Sequence, residues 1–125
     1  INSIWGKIQW YQNSGKNGAP VLSSIQDVKI DWQGSAPRQP EWNWFKANSH
    51  QLVTQWRTTP CAVDWNADGL MDLVMLDHEG YLAFYERFRK ANGSLMLKPG
   101  QRIFYGSQAS GFDSKHQGKE PVPGP

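Results

Sequence analysis

The sequence predicts an all-β fold built from antiparallel sheets. Short stretches of alternating or continuous apolar residues lie between turns rich in glycine, asparagine and proline, and helical periodicity is hard to find. The chain has 125 residues, with 38% hydrophobic and 19% charged side chains, a balance typical of one small globular domain.

Six stretches carry the strand pattern, and turn-forming segments such as SGKNGAP, HEG and KANGS lie between them. Each is apolar or alternating over at least part of its length, as expected for a strand with one or both faces covered. In chain order they are IWGKIQWYQ (4–12), VLSSIQDVKID (21–31), PCAVDW (60–65), DLVMLD (72–77), YLAFYERF (81–88) and LMLKPGQRIF (95–104).

Two segments fall outside this pattern. QGSAPRQPEWNWFKANSHQ (33–51) contains two prolines and no clear period, which predicts a long insertion, and long loops in compact domains are often functional. Residues 106–125 are rich in glycine, serine and proline and have few apolar side chains, which predicts a flexible tail.

Charge and composition exclude several classes of function. The formal net charge is only +2 and the basic residues are scattered, so no nucleic-acid partner is expected. No apolar run is long enough for a membrane span. Cys61 is the single cysteine, so no intrachain disulfide can form. Acidic residues concentrate between positions 64 and 79, which favours a cation as ligand.

The most informative stretch is VDWNADGLMDLVM (63–75), an acidic loop between two strand-like runs. Oxygen-bearing side chains at alternate positions of a tight loop point inward. Gly69 permits the positive φ that such a turn needs. Hard oxygen ligands in this number suit Ca²⁺ better than Zn²⁺ or Mg²⁺. The predicted ligands are Asp64, Asn66, Asp68, Leu70 through its backbone carbonyl, and Asp72.

The loop has two other interpretations, an EF-hand loop and a turn without metal. An EF-hand requires a bidentate glutamate at position 12 of its loop, and this chain has Met75 there when Asp64 is position 1. Helices flank an EF-hand loop, whereas the runs on both sides of this loop are strand-like. The alternative without metal is a hairpin turn stabilised by aspartate and asparagine side chains. Converging carboxylates would repel one another without a cation, which favours the calcium site.

A short repeat accompanies the loop. The residues GKIQWY (6–11) match GYLAFY (80–85). The shared pattern is G-x-(I/L)-x-aromatic-Y, where x is any residue. A polar turn and a strand-like run follow both copies. A repeated unit with several strands predicts a β-propeller blade or stacked sheet.

The pattern D-x-N-x-D-G-x-x-D-L, present at 64–73, resembles the calcium loop of FG-GAP/VCBS repeat proteins, which is also found in integrin α-subunit propellers. The resemblance covers about residues 1–105 and implies antiparallel sheets of the β-propeller-blade type. The first repeat lacks an acidic loop, so we expect an incomplete propeller fragment: the end of one blade, then one nearly complete blade. The resemblance also implies an extracellular or periplasmic protein with structural Ca²⁺. An isolated blade leaves sheet faces and edges uncovered, so we expect the chain to self-associate and cover them.

Seven tryptophans are many for a domain of this size. In WNW (42–44) the two indoles lie two residues apart and share a face if the segment is extended, so they can stack on sugar rings; the alternative is that the insertion folds back and buries them. The candidate carbohydrate-binding residues are Trp42, Trp44, Trp56 and Trp32.

The resulting prediction is a calcium-stabilised module that binds polysaccharide through tryptophans. Two alternatives stay open: a fragment of a polysaccharide lyase or glycoside hydrolase, and a protein-binding repeat module. No spacing selects a pair of catalytic carboxylates, and no zinc motif or phosphate-binding loop is present, so the catalytic residues of an enzyme of this kind are unknown.

Overall fold

The computed structural model describes residues 1, 4–39, 41 and 45–103. This part of the chain contains strands and turns but no helix, so the prediction of an all-β fold with antiparallel sheets is confirmed. The strands are β1 (Gln9–Trp10), β2 (Gln26–Asp27), β3 (Cys61–Val63), β4 (Asp72–Leu76), β5 (Leu82–Tyr85), β6 (Arg87–Arg89), β7 (Leu95–Leu97) and β8 (Gln101–Arg102).

The largest sheet has four strands in the order β3-β4-β5-β8, and every neighbouring pair is antiparallel. Val74 of β4 lies opposite Cys61 of β3 on one side and Phe84 of β5 on the other. Phe84 in turn pairs with Gln101 of β8. β4 and β5 are therefore the central strands, and β3 and β8 are the edges.

Two smaller antiparallel ribbons, β1-β2 and β6-β7, complete the described architecture. A single parallel bridge between Ile30 and Leu97 joins the segment after β2 to β7. Lys7 and Lys29 form isolated antiparallel bridges with Val53 and Gln51. These described sheets form neither a closed barrel nor a propeller, and the propeller-blade type stays a prediction.

All six predicted stretches contain strands, but their extents differ from the predictions. The stretch 81–88 divides at Glu86, whose carbonyl accepts a hydrogen bond from the Lys98 amide at 2.8 Å. The stretch 95–104 divides around Pro99, which has no N–H to donate to a ladder. Only Gln26 and Asp27 of 21–31 form a strand, and at the start of this stretch the Val21 amide donates to Asn13 Oδ1 at 3.0 Å.

The core lies where β4, β5 and β7 meet the segments around β1 and β2. Tyr85 and Met75 are almost fully buried at its centre, and burial raises the pKa of the Tyr85 phenol well above its usual range. The cluster consists of Ile8, Val28, Ile30, Leu52, Leu73, Met75, Ala83, Tyr85 and Leu97, with Trp32 packed against it.

The two glycines of the short repeat adopt the same backbone conformation. Gly6 has φ 79° and Gly80 has φ 89°, a region that L-residues rarely occupy. The aromatic residues that follow differ in environment, because Trp10 is exposed whereas Phe84 is buried. The predicted domain limits, 1–105 and the tail 106–125, stay predictions, since residues 104–125 lie outside the described residues.

Candidate functional site

The acidic loop closes the hairpin between β3 and β4. Val63 pairs with Asp72 as the last pair of the ladder, so the antiparallel pairing fixes both ends of the loop. Two loop residues take up positive φ, Ala67 at 60° and Gly69 at 84°. The positive φ of Gly69 was predicted from the sequence, whereas that of Ala67 was not.

Asp64 and Asp68 organise the backbone of the loop. The two carboxylate oxygens of Asp64 accept hydrogen bonds from the amides of Asp68 and Gly69, each at 3.0 Å. Asp68 Oδ1 accepts from the Leu70 amide at 2.8 Å. Carboxylates are strong acceptors of amide hydrogens, so these contacts set the turn without help from distant residues.

Asn66 links the two sides of the turn. Its Oδ1 accepts from the Asp68 amide at 3.1 Å, and its Nδ2 donates to Asp68 Oδ2 at 3.0 Å. This second contact offsets part of the charge on Asp68. An aspartate at position 66 could not make it, because a carboxylate has no N–H to donate. Both side chains are exposed to solvent.

Asp72 differs from the other loop residues because it is fully buried. Its Oδ2 accepts from the Trp65 amide at 3.0 Å and its Oδ1 from the Arg87 amide at 2.7 Å. The carboxylate therefore fastens the start of the loop and the start of β6 to β4. Sequence spacing predicted Asp72 as a ligand but contained no signal of this contact with Arg87.

The donor chemistry of the loop fits a hard cation. Each oxygen of Asp64 accepts one amide hydrogen bond and has acceptor capacity for one more partner. Within the described residues, however, no three acidic, histidine or cysteine side chains form a group that could hold a metal ion. In this arrangement the carboxylates of Asp64 and Asp68 accept hydrogen bonds from loop amides, and the five-residue ligand set stays a prediction.

The four predicted carbohydrate-binding tryptophans have different environments. Trp42 and Trp44 lie outside the described residues. Trp32 packs against the core, and its buried indole N–H has no hydrogen-bond partner among the described residues. Trp56 is 40% exposed and contacts Trp5 edge to face, with ring centroids 6.4 Å apart.

Trp65 is an exposed indole that the sequence-based candidates omitted. It is 49% exposed and lies against Phe84, with ring centroids 6.2 Å apart. Its position in the loop was the available signal, because it falls between Asp64 and Asn66, whose side chains were expected to point inward. An indole between these two residues is then directed away from the loop centre.

A second polar cluster surrounds Arg102 on β8. Its Nε donates to Asp77 Oδ2 at 2.7 Å, its Nη2 contacts Glu79, and its guanidinium carbon lies 3.8 Å from the centroid of the Tyr81 ring. Partial burial opposes the charge of Arg102, but the bonds to Glu79 and Asp77 outweigh it and raise the pKa of the guanidinium.

Two further carboxylates, those of Glu86 and Glu41, are also paired with cations. Lys98 Nζ lies 2.6 Å from Glu86 Oε1, and Arg38 Nη2 lies 3.6 Å from Glu41 Oε1. Together with the Asp77 and Glu79 contacts to Arg102, this gives each of the four carboxylates a cationic neighbour.

Comparisons with protein-family models, curated proteins and solved structures found no match to this chain.

In the part of the chain that the structure describes, no helix has the length and apolar character needed to cross a membrane.

Proposed function

We propose that this chain is a calcium-stabilised β-repeat module that binds carbohydrate through exposed tryptophans. The observation that carries the calcium part is the loop at 64–72, which places three oxygen-bearing side chains in one tight, solvent-accessible turn. Calcium accepts carboxylate, amide and backbone oxygens in flexible arrangements, so this donor set suits it better than a smaller or softer ion.

The residues that would hold the ion are Asp64, Asn66 and Asp68, with the Leu70 carbonyl and Asp72 completing the predicted set. Calcium would supply a positive charge that offsets repulsion among the carboxylates and clamps the β3–β4 hairpin. An exposed loop with few charged ligands suits a weak site filled at extracellular calcium concentrations. An extracellular or periplasmic location belongs to the same proposal.

Calorimetric calcium titration tests the site, together with thermal melts in calcium and in chelator. The decisive variant is Asp68→Asn, which removes a charge but keeps an oxygen that can accept from the Leu70 amide. The matched control is Glu41→Gln, which removes a carboxylate whose side chain is 92% exposed and outside the loop.

We expect saturable binding and a raised melting temperature in the parent chain and in Glu41→Gln. At a calcium concentration of 100 times Kd, the stabilisation is about 2.7 kcal/mol. Asp68→Asn should bind more weakly yet melt in chelator at a temperature close to that of the parent. Absence of binding in the parent chain, or equal affinity in Asp68→Asn, would contradict a calcium site here.

Trp56 supports the carbohydrate part of the proposal. Its indole is 40% exposed and Trp5 supports it from the side, so it offers a fixed apolar surface to the C–H face of a sugar ring. Trp65 offers a second exposed indole beside the acidic loop. Both side chains present their rings at low conformational cost, since few torsions must be fixed on binding.

Affinity electrophoresis in gels containing soluble glucan, xylan or pectin tests carbohydrate binding. Retardation of the parent chain should be lost in Trp56→Ala and weakened in Trp65→Ala. Trp10→Ala is the control, because Trp10 is similarly exposed at 43% but lies on the β1-β2 ribbon. Unchanged mobility of the parent chain in all gels, or equal losses in all three variants, would contradict the assignment. Self-association stays a prediction of the sequence, which sedimentation velocity tests directly.

A further inference from the structure

The chain contains two asparagine–glycine pairs in exposed turns, at Asn17 with Gly18 and at Asn92 with Gly93. Asparagine before glycine is the pair most prone to deamidation, because glycine has no side chain to hinder attack by its amide nitrogen. The two pairs occupy different positions in their turns, and this difference distinguishes their chemistry.

Asn17 and Gly18 are the central residues of their turn. The Ala19 amide donates to the Lys16 carbonyl at 3.0 Å, and Gly18 has φ 84°, which is the pattern of a type II turn. The Gly18 amide and the Asn17 side chain have no hydrogen-bond partner among the described residues. Apart from its two chain neighbours, no residue has an atom within 4 Å of the Cβ position at Gly18, and the same is true at Gly93, so hydrogen bonding and not crowding distinguishes the two sites.

Asn92 and Gly93 lie one position further along their turn. The Gly93 amide donates the hydrogen bond that closes this turn, to the Lys90 carbonyl at 2.8 Å. Asn92 Oδ1 accepts from the Ser94 amide at 3.1 Å and from Ser94 Oγ at 2.7 Å. Both the nucleophile and the side chain that it would attack are therefore held in other contacts.

We propose that Asn17 is a site of spontaneous deamidation in the folded protein and that Asn92 is protected from the same reaction. The Gly18 nitrogen, losing its proton to solvent base, forms a bond to Asn17 Cγ. The bond from Cγ to Nδ2 breaks, and the amide leaves as ammonia after taking up a proton. Water then opens the resulting succinimide at either carbonyl, which produces aspartate or isoaspartate.

The reaction changes this turn in two ways. It replaces a neutral side chain by a carboxylate next to Lys16. The isoaspartate product also adds a methylene to the backbone of the turn that the bridges Lys16–Ala19 and Asn13–Leu22 enclose. Deamidation at this position therefore alters the charge and the backbone length of the turn that follows β1. This inference is independent of calcium or carbohydrate binding.

Incubation of the full chain in mildly alkaline buffer tests the proposal, with proteolytic peptide mapping that separates asparagine, aspartate and isoaspartate forms at each site. The same incubation in urea gives the rates without the fold. In the folded chain Asn17 should convert roughly tenfold faster than Asn92, since breaking hydrogen bonds of ordinary net strength slows the second site by about that factor. In urea the two rates should become similar.

Two variants sharpen the comparison. Asn17→Gln should abolish conversion in this turn and leave Asn92 unchanged. Ser94→Ala removes the Oγ contact to Asn92 and should raise the rate at Asn92 in the folded chain. The proposal is overturned if Asn92 converts as fast as Asn17 in the folded chain, or if the two rates differ as much in urea as in the folded chain.

Discussion

The Asp72 carboxylate accepts a hydrogen bond from the Arg87 backbone amide at 2.7 Å, although Asp72 begins β4 of the large sheet and Arg87 begins β6 of a separate ribbon. The same carboxylate also accepts from the Trp65 amide. A fully buried acid thus connects the acidic loop, the central sheet and the β6-β7 ribbon.

Replacement of Asp72 by alanine should destabilise the fold strongly. The partly buried amides of Trp65 and Arg87 would both lose their acceptor, and an unsatisfied donor costs up to about 1–3 kcal/mol when water cannot reach it. We expect a loss of about 2–4 kcal/mol in the free energy of unfolding, measured by urea denaturation in chelator. Glu41→Ala, at a highly exposed position, should change the free energy by no more than about 0.5 kcal/mol. A loss equally small for Asp72→Ala would show that this contact is not a structural link.

The sequence predicted the turn of this loop better than the role of Asp72. Local spacing was sufficient to place Gly69 at positive φ and to expect Asp64 and Asp68 within one turn. The contact from Asp72 to Arg87 depends on how two sheets meet, and no local pattern encodes it. For the same reason the alternation in 81–88 did not reveal that the strand divides at Glu86.

The tryptophans show a similar limit. Periodicity indicated which strands form, but the exposure of an indole depends on which segments pack over it. Trp32 was a carbohydrate candidate and lies against the core, whereas Trp65 was omitted and is half exposed. Carbohydrate binding by any of these residues stays a prediction.

Gly6 and Gly18 allow backbone strain to be separated from steric crowding. Both have positive φ, at 79° and 84°, but a Cβ at Gly6 would lie 2.5 Å from the Thr54 carbonyl oxygen, whereas the space at Gly18 is open. Gly18→Ala should cost about 1–2 kcal/mol from the left-handed backbone alone. Gly6→Ala should cost about 1–3 kcal/mol more, since the buried Thr54 backbone must move. Urea denaturation measures both, and equal losses would contradict the crowding at Gly6.

Arg102 should not tolerate lysine. Its guanidinium bonds to Asp77 and Glu79 while covering the Tyr81 ring, and a single ammonium group cannot make all these contacts. We expect Arg102→Lys to lower the free energy of unfolding by about 1.5–3 kcal/mol. Arg38→Lys is the control, because its ion pair with Glu41 is almost fully exposed and is worth about 0–1 kcal/mol. Chemical denaturation of both variants measures the two losses. An Arg102→Lys variant with an unchanged free energy of unfolding would contradict a stabilising role for these contacts.

Asp27 should make stability sensitive to acid. Partial burial raises the pKa of its carboxyl, but hydrogen bonds from Gln9 and Gln51 and the contact with Lys7 outweigh that effect and hold the pKa below its ordinary value of 3.8. Because the folded-state pKa is the lower one, the unfolded chain binds this proton more readily. The stabilisation is therefore fully present above about pH 4 and is lost as the pH falls through the folded-state pKa.

The comparison with Asp27→Asn isolates this contribution from those of other acids such as Asp31, whose pKa is also lowered, chiefly by Lys90. At neutral pH the variant should be less stable than the parent chain, since asparagine cannot pair with Lys7 as a charge. The difference in free energy of unfolding should shrink as the pH is lowered, because protonation then removes the same charge from the parent. Urea denaturation at a series of acidic pH values measures this difference. If the difference in free energy of unfolding stayed constant down to the lowest pH measured, the stabilisation by Asp27 would not depend on its charge.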